Sequence, residues 1–128
     1  MKIDGKLLAQ EILETVASRV KEMSSKGIYP HLAVVFVGKD LNSLVYISQK
    51  QKNAHNVGVR FTLDHSETLP GTDVLIKKLH QYNHDPQVHG LILQRPLPSP
   101  YSFKDLIRQT VSPKKDVDGF LPASPFTA

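Results

Sequence analysis

The first apolar positions of the chain recur every three or four residues, at Leu8, Ile12, Val16, Val20 and Met23. This spacing places them on one face of a helix, for which Gly27 is a typical C-cap. A continuous apolar run then spans residues 32–37 between Pro30 and Gly38. Such a run is typical of a strand buried on both faces. The opening third of the chain therefore predicts an amphipathic helix followed by a central strand.

The same two patterns continue along the rest of the chain. They predict a second helix from a Ser43 cap to Val57, followed by a half-buried strand with Val59, Phe61 and Leu63 facing inward. A third helix would begin at Thr72 and end before Asp85, and a third strand would span residues 89–94. Ser102 with Asp105 would cap a short fourth helix. Strands separated by helix-length segments favour right-handed crossovers and parallel pairing. We therefore predict an α/β fold, a three-layer αβα sandwich around a mostly parallel sheet. Ligands bind such sheets beyond the carboxyl ends of the strands.

Length and composition indicate one soluble domain. The chain has 128 residues, 40% of them hydrophobic and 22% charged, and it contains no cysteine. Disulfide scaffolds and thiolate metal sites are therefore excluded, and a reducing, cytoplasmic location is expected. No apolar run approaches the roughly 20 residues of a membrane helix. The net charge of +4 comes from scattered lysines, which argues against a nucleic-acid binder.

The amino-acid composition of the chain changes near its end. Six of the nine prolines lie from Pro96 onward, and residues 121–128 have no periodic apolar pattern. We predict a domain over residues 1–120 and a linker over residues 121–128.

Two residues of the second predicted helix could carry chemistry. Tyr46 and Lys50 are four residues apart, so they share a helix face, whereas Lys52 points elsewhere. A lysine held near an aromatic ring and away from bulk water can act as a general acid or base near neutral pH. On spacing alone, a solvated lysine and a core tyrosine are the better interpretation.

Two further segments offer polar groups at expected ligand positions. Gln94 closes the third predicted strand and precedes Pro96 in a proline-rich loop, which either shapes a pocket or is a plain exit loop. Asp116 and Asp118 would share one side of an extended segment, where a carboxylate could accept paired hydrogen bonds from an amino-substituted heterocycle. On the residues alone, a simple turn before Gly119 is the better interpretation.

The sequence motifs of metal, nucleotide and hydrolase sites are absent. His80 and His84 are four residues apart but have no evident carboxylate as a third ligand, so no metal is expected. The chain contains no GxGxxG, GxxxxGK[ST] or GxSxG motif. Dinucleotide, P-loop and hydrolase-elbow assignments are therefore unsupported.

Three segments taken in order resemble one enzyme family. They are YISQKQK at residues 46–52, HGLILQRPLP at residues 89–98 and KDVDGF at residues 115–120, and the opening IDGK at residues 3–6 adds to them. The set resembles bifunctional methylenetetrahydrofolate dehydrogenase/methenyltetrahydrofolate cyclohydrolase, the FolD family, over nearly the whole chain. In that family, 5,10-methylenetetrahydrofolate is oxidised with NADP to the methenyl form and then hydrolysed to 10-formyltetrahydrofolate, a part of one-carbon metabolism that feeds purine biosynthesis.

The resemblance assigns a role to each candidate residue. It implies that Lys50 is the general acid/base, that Tyr46 stacks on the folate rings, and that Gln94 hydrogen-bonds and tunes the lysine. Asp118 would grip the amino-pyrimidine edge of the pterin, and Pro96 would line the substrate site. No residue of this chain is expected to bind the cofactor, and no metal is implied.

The resemblance also implies a larger assembly. The chain would be the folate-side domain of a longer enzyme, facing a Rossmann-type NADP domain that it lacks, and the whole enzyme would be a cytoplasmic homodimer. Two segments depart from the family pattern: Arg95 replaces an apolar residue, and Ser124-Pro125-Phe126-Thr127 shortens a PCTP-like region. The rival interpretation is a non-catalytic, basic module that binds folate or nucleic acid.

Overall fold

The computed structural model describes residues 5–125 and has the predicted alternation of helices and strands. Residues 1–4, which include part of the IDGK segment, and residues 126–128 lie outside the described part. The elements are α1 (Gly5–Ser25), β1 (His31–Val37), α2 (Leu41–Val57), β2 (Arg60–Ser66), α3 (Thr72–His84), β3 (Gly90–Leu93), α4 (Phe103–Thr110) and a 3₁₀ turn, η1 (Pro113–Lys115).

The three strands form a parallel sheet in the order β2-β1-β3. The apolar run of β1 lies in the centre, where Leu32 pairs with both Phe61 of β2 and Gly90 of β3. From Ala33 to Val37 every residue of β1 is buried. The prediction of a central strand is confirmed, because a strand with neighbours on both sides and helices on both faces leaves no position for a polar side chain.

Alternate residues of β1 support two separate cores, so the sandwich has three layers as predicted. On one face, Val35 and Val37 pack with Leu75 and Leu79 of α3 and with apolar residues of α4. On the other face, Val34 and Phe36 pack with Ile47 of α2 and with Ile92. Helix α1 contacts α2 and so lies on this second face.

Three local predictions differ from the structure. Asp40, not Ser43, caps α2, since its side chain accepts the backbone N–H of Ser43. Val59 precedes β2, and Leu63 is exposed rather than turned inward. The first difference arises because the chain enters the helix at Asp40, whose extended backbone lets its carboxylate accept the N–H three residues on. The exposure of Leu63 reflects the position of β2 as an edge strand with one neighbour.

The segment after residue 120 packs against the domain as far as it is described. Leu121 contacts the core on the α3–α4 face. Ser124 is buried, and its hydroxyl donates to the carbonyl oxygen of Asp116 at 2.9 Å. The domain boundary at residue 120 stays a prediction. Among residues 5–125, no helix is both long and apolar enough to cross a lipid bilayer.

Candidate functional site

The carboxyl end of β3 brings two of the predicted residues into contact. Lys50 Nζ, on α2, donates to Gln94 Oε1 at 2.9 Å. Gln94 is held by two further hydrogen bonds. Its side-chain Nε2 donates to the Arg95 carbonyl oxygen at 3.1 Å, and its backbone N–H donates to the Val35 carbonyl oxygen at 2.9 Å. Gln94 is only 8% exposed. The structure therefore holds a lysine ammonium against a buried, oriented amide oxygen at the end of the sheet where ligands bind.

A second set of contacts ties the start of α2 to the loop after β3. Ser43 Oγ lies 2.7 Å from Oδ2 of Asp40 and 3.1 Å from the Arg95 carbonyl oxygen. Ser43 is buried, although it does not cap the helix as predicted. Through the Arg95 carbonyl it is one contact away from Gln94. This linkage fixes α2 relative to β3 and hence the Lys50–Gln94 distance.

Tyr46 and Pro96 lie on the surface around this pair. Tyr46 is 61% exposed, so it is not the core aromatic that spacing alone favoured. It lies one helical turn before Lys50, on the same side of α2. Pro96 is exposed in the loop that follows Gln94. An exposed tyrosine beside a lysine leaves a ring face free to stack on a planar ligand.

The residues alone favour a turn before Gly119, and a turn is present, so Asp116 and Asp118 do not share one side. The Gly119 N–H donates to the Asp116 carbonyl at 3.0 Å, which closes a turn whose central residues are Val117 and Asp118. Asp116 is 1% exposed, whereas Asp118 is exposed to solvent. The turn thus separates a buried carboxylate from an exposed one.

The segment that carries Asp118 runs along the free edge of β3. Val117 lies so close to Gly90 that a Cβ atom on that glycine would be 3.1 Å from Val117 Cγ1. Farther along, the Phe120 ring centroid is 5.3 Å from the Arg95 guanidinium. Asp118 is between these two anchors in the chain. The chain on either side of Asp118 therefore contacts β3 and the residue that follows Gln94.

Two residues hold this segment in place, and neither was predicted to do so. The buried Asp116 carboxylate accepts the Leu121 N–H at 2.6 Å. Lys115 Nζ donates to the carbonyls of Asp85, at 2.7 Å, and of Tyr82, at 3.3 Å, at the end of α3. Burial lowers the pKa of Lys115, and the nearby Asp85 carboxylate opposes that shift. Local sequence offers no signal for Lys115, because its partners lie about thirty residues away.

Residues 5–125 form no metal centre, and the loop after β1 forms no dinucleotide cradle. Within residues 5–125, no three histidine, aspartate or glutamate side chains converge to hold a metal ion. After β1, where a dinucleotide phosphate would meet a helix N-terminus, the Asp40 carboxylate already caps α2. A Cβ atom on Gly38 would be 3.0 Å from Pro98, so this loop is filled by protein. These residues do not fit a bound dinucleotide phosphate.

Comparison with known proteins gives the chain a family. Residues 3–118 match the model of the tetrahydrofolate dehydrogenase/cyclohydrolase catalytic domain. The chain belongs to this family. It is 43% identical over 120 residues to the bifunctional protein FolD of Bacillus pumilus, which covers 94% of the chain and 42% of that protein. It is 44% identical over 121 residues to FolD of Rickettsia akari, with 94% and 41% covered.

Solved structures of the family share the fold of the chain. A bifunctional FolD enzyme from Campylobacter jejuni superposes with a TM-score of 0.90 at 33% identity, over 94% of the chain and 43% of that protein. FolD from Trypanosoma brucei, solved with NADP cofactor and an inhibitor, superposes with a TM-score of 0.88 at 26% identity, over 95% and 41%. The chain thus spans about two fifths of the length of the curated relatives it matches.

Proposed function

We propose that the chain is the folate-side catalytic domain of a bifunctional enzyme of one-carbon metabolism. The whole enzyme would oxidise 5,10-methylenetetrahydrofolate to the methenyl form with NADP and hydrolyse that product to 10-formyltetrahydrofolate. The observation that supports this most directly is the Lys50–Gln94 hydrogen bond of 2.9 Å at the carboxyl end of β3. It unites two separate motifs of the family whose model matches the chain.

The hydrolysis requires a proton carrier, which we assign to Lys50. The methenyl carbon is part of a cation and is attacked by water. The water oxygen bonds to that carbon, one of its protons ends on the ring nitrogen as that carbon–nitrogen bond breaks, and the other proton is released. An amine beside the reacting carbon can take and return these protons. Gln94 Oε1, fixed by its own hydrogen bonds, would hold the amine in position.

Tyr46 and Asp118 would bind the substrate without taking part in proton transfer. The exposed Tyr46 ring offers a face on which the aromatic part of folate can stack. The exposed Asp118 carboxylate has free acceptor oxygens for the paired N–H groups on the amino-pyrimidine edge of the pterin. Pro96 would limit the site on the side of the loop after β3. In this assignment the pterin is oriented between α2 and the β3 edge.

The oxidation would use the same bound substrate. NADP supplies the hydride acceptor, and we propose that it binds outside the loop after β1, where Asp40 and Pro98 occupy the place of a dinucleotide phosphate. What this domain contributes is the position of the methylene carbon, set by Tyr46, Lys50 and Asp118. We further propose a cytoplasmic enzyme that works as a homodimer, with a folate as its small-molecule partner and without nucleic acid or membrane.

Turnover of methenyltetrahydrofolate by lysine variants tests the proposal. In the enzyme that contains this chain, Lys50→Met should lower cyclohydrolase turnover by about 10² to 10⁴, the usual contribution of a positioned acid/base. Lys52→Met, an exposed lysine two residues along the same helix, is the matched control and should leave turnover unchanged. Circular dichroism of both variants checks the fold. Equal turnover in the two variants would remove Lys50 from its assigned role.

A further inference from the structure

The side chain of Arg95, where the family pattern has an apolar residue, takes no part in the proposed chemistry. Its guanidinium lies over two aromatic rings, 4.9 Å from the Phe103 centroid and 5.3 Å from the Phe120 centroid. These rings meet edge to face, with their centroids 5.0 Å apart. A planar guanidinium is attracted to the faces of aromatic rings, whereas an aliphatic side chain has no such charge. Arg95 is therefore held in one place by this aromatic pair.

The two rings of the aromatic pair belong to different parts of the fold. Phe103 is the first residue of α4 and packs, partly buried, against the core of the α3–α4 face. Phe120 is 44% exposed and lies two residues after Asp118. Burial therefore fixes the Phe103 ring much more firmly than the Phe120 ring. The contacts that Phe120 makes with Phe103 and Arg95 restrain the segment that carries Asp118.

The backbone of Arg95 belongs to the other half of the candidate site. Its carbonyl oxygen accepts a hydrogen bond from Gln94 Nε2 at 3.1 Å and lies 3.1 Å from Ser43 Oγ. Gln94 in turn accepts the hydrogen bond from Lys50 Nζ. Arg95 thus contacts the lysine half of the site through its backbone and the segment of Asp118 through its side chain.

Resting on the proposed function, we propose that Arg95 is a positioning residue for the folate substrate. Its stacking on Phe103 and Phe120 holds the Asp118 segment against the end of β3, so that the Asp118 carboxylate is already in place when the pterin binds. Arg95 touches no reacting atom in this role. It acts on binding through Asp118, because a preorganised carboxylate loses less conformational entropy on binding than a mobile one.

A double-mutant cycle between Arg95 and Asp118 tests this role. Dissociation constants for tetrahydrofolate would be measured, in the enzyme that contains this chain, for Arg95→Leu, Asp118→Ala and the double variant. Arg95→Leu should weaken binding about two- to fivefold, the contribution of an exposed cation–π contact. When Asp118 is already alanine, the same change should have no further effect, because the carboxylate that Arg95 positions is gone. Two losses that simply multiply would overturn the proposal.

Phe120→Leu separates stacking from the charge of the arginine. This variant removes a ring but keeps the Arg95 guanidinium, and it should weaken tetrahydrofolate binding to a similar degree. Full affinity in Phe120→Leu would mean that the charge of Arg95 acts directly on the ligand, which would overturn the positioning role.

Arg60→Leu is the matched control, since the Arg60 guanidinium also lies over an aromatic ring, 4.4 Å from the Tyr29 centroid. Arg60 begins β2, at the opposite end of the sheet from the candidate site. This variant loses the same charge and the same kind of contact, and its affinity for tetrahydrofolate should be unchanged. An equal loss of affinity in Arg60→Leu and Arg95→Leu would mean a general effect of charge and would overturn the proposal.

Steady-state kinetics of the cyclohydrolase step give a readout that a general loss of structure would not. Arg95→Leu should raise KM by about two- to fivefold and leave kcat unchanged, because the Lys50–Gln94 pair remains intact. A fall in kcat with an unchanged KM would contradict a role in binding.

The same measurements separate this inference from the proposed function. If the unmodified enzyme binds tetrahydrofolate and Asp118→Ala weakens binding, but Arg95→Leu does not, the positioning role is wrong and the folate site stands. If the unmodified enzyme does not bind tetrahydrofolate, both proposals are overturned.

Discussion

The two faces of the sheet are packed to very different degrees. On the α3–α4 face, Leu75 and Leu79 are fully buried and belong to a large continuous core. On the α1–α2 face, α1 has one buried residue, Val20, among those described, and Ile12 is 55% exposed. Helical periodicity predicts both faces equally well. The face that supplies Tyr46 and Lys50 is therefore also the one that retains exposed apolar surface.

The largest expected effect is a difference in unfolding free energy between two truncations, one on each face of the sheet. Leu79→Ala removes a fully buried side chain and should cost about 2 to 5 kcal/mol of unfolding free energy, the range for core cavities. Ile12→Ala should stay within about 0.5 kcal/mol, as expected for a surface change. Urea denaturation of both variants measures this. Equal losses would show that α1 is covered in solution.

A pair of aspartate variants should distinguish support from binding in the turn beside β3. Asp116→Ala removes the buried carboxylate that accepts the Leu121 N–H and should cost about 1 to 3 kcal/mol of unfolding free energy. Folate affinity should fall with it, because the turn that presents Asp118 loosens. Asp118→Ala should lower folate affinity with little change in stability. Denaturation and ligand titration on both variants decide between these roles, and the reverse pattern would exchange them.

The smallest effect is expected at the outer edge of the α3 face. Tyr82 donates to Asp64 Oδ2 at 2.7 Å, and burial together with this carboxylate raises the pKa of Tyr82 to about 12. The folded state thus holds the phenol proton more tightly than the unfolded chain, whose pKa is near 10. The resulting stability is complete below pH 10 and is lost as pH rises through about 12.

Tyr82→Phe should remove this alkaline loss. Between about pH 10 and pH 12, the unfolding free energy of the variant should decline less steeply than that of the unmodified protein. Absorbance of tyrosinate during the same titration should show the last-ionising tyrosine missing from the variant. A parallel decline in both proteins would contradict the assignment to Tyr82.

The architecture could be predicted from the sequence because the spacing of apolar residues shows which side of each helix or strand is buried. The run at residues 32–37 could occupy only a central strand, and the helices between strands required parallel pairing. The edge position of β2 was not predictable, since strand order depends on contacts between distant elements. The exposure of Leu63 follows from that order and was missed with it.

The candidate site also has features that the sequence predicted and features that it did not. Helix periodicity placed Tyr46 and Lys50 on one face, and strand position placed Gln94 at the carboxyl end. Their roles came from the resemblance of three motifs, since spacing alone favoured a solvated lysine. The supporting contacts of Lys115 and Asp116 were missed, because each depends on a backbone group brought near by tertiary folding.

We propose that Lys50, Gln94 and Asp118 belong to one folate site. Backbone amide shifts during titration with a tetrahydrofolate analogue test it most directly, because every region of the chain reports at once. We expect concerted shifts at Lys50, Gln94 and Asp118, with a single dissociation constant, and no comparable shifts at Leu63 or Asp64 on the β2 edge. Shifts confined to the β2 edge, or different constants for the three residues, would contradict it.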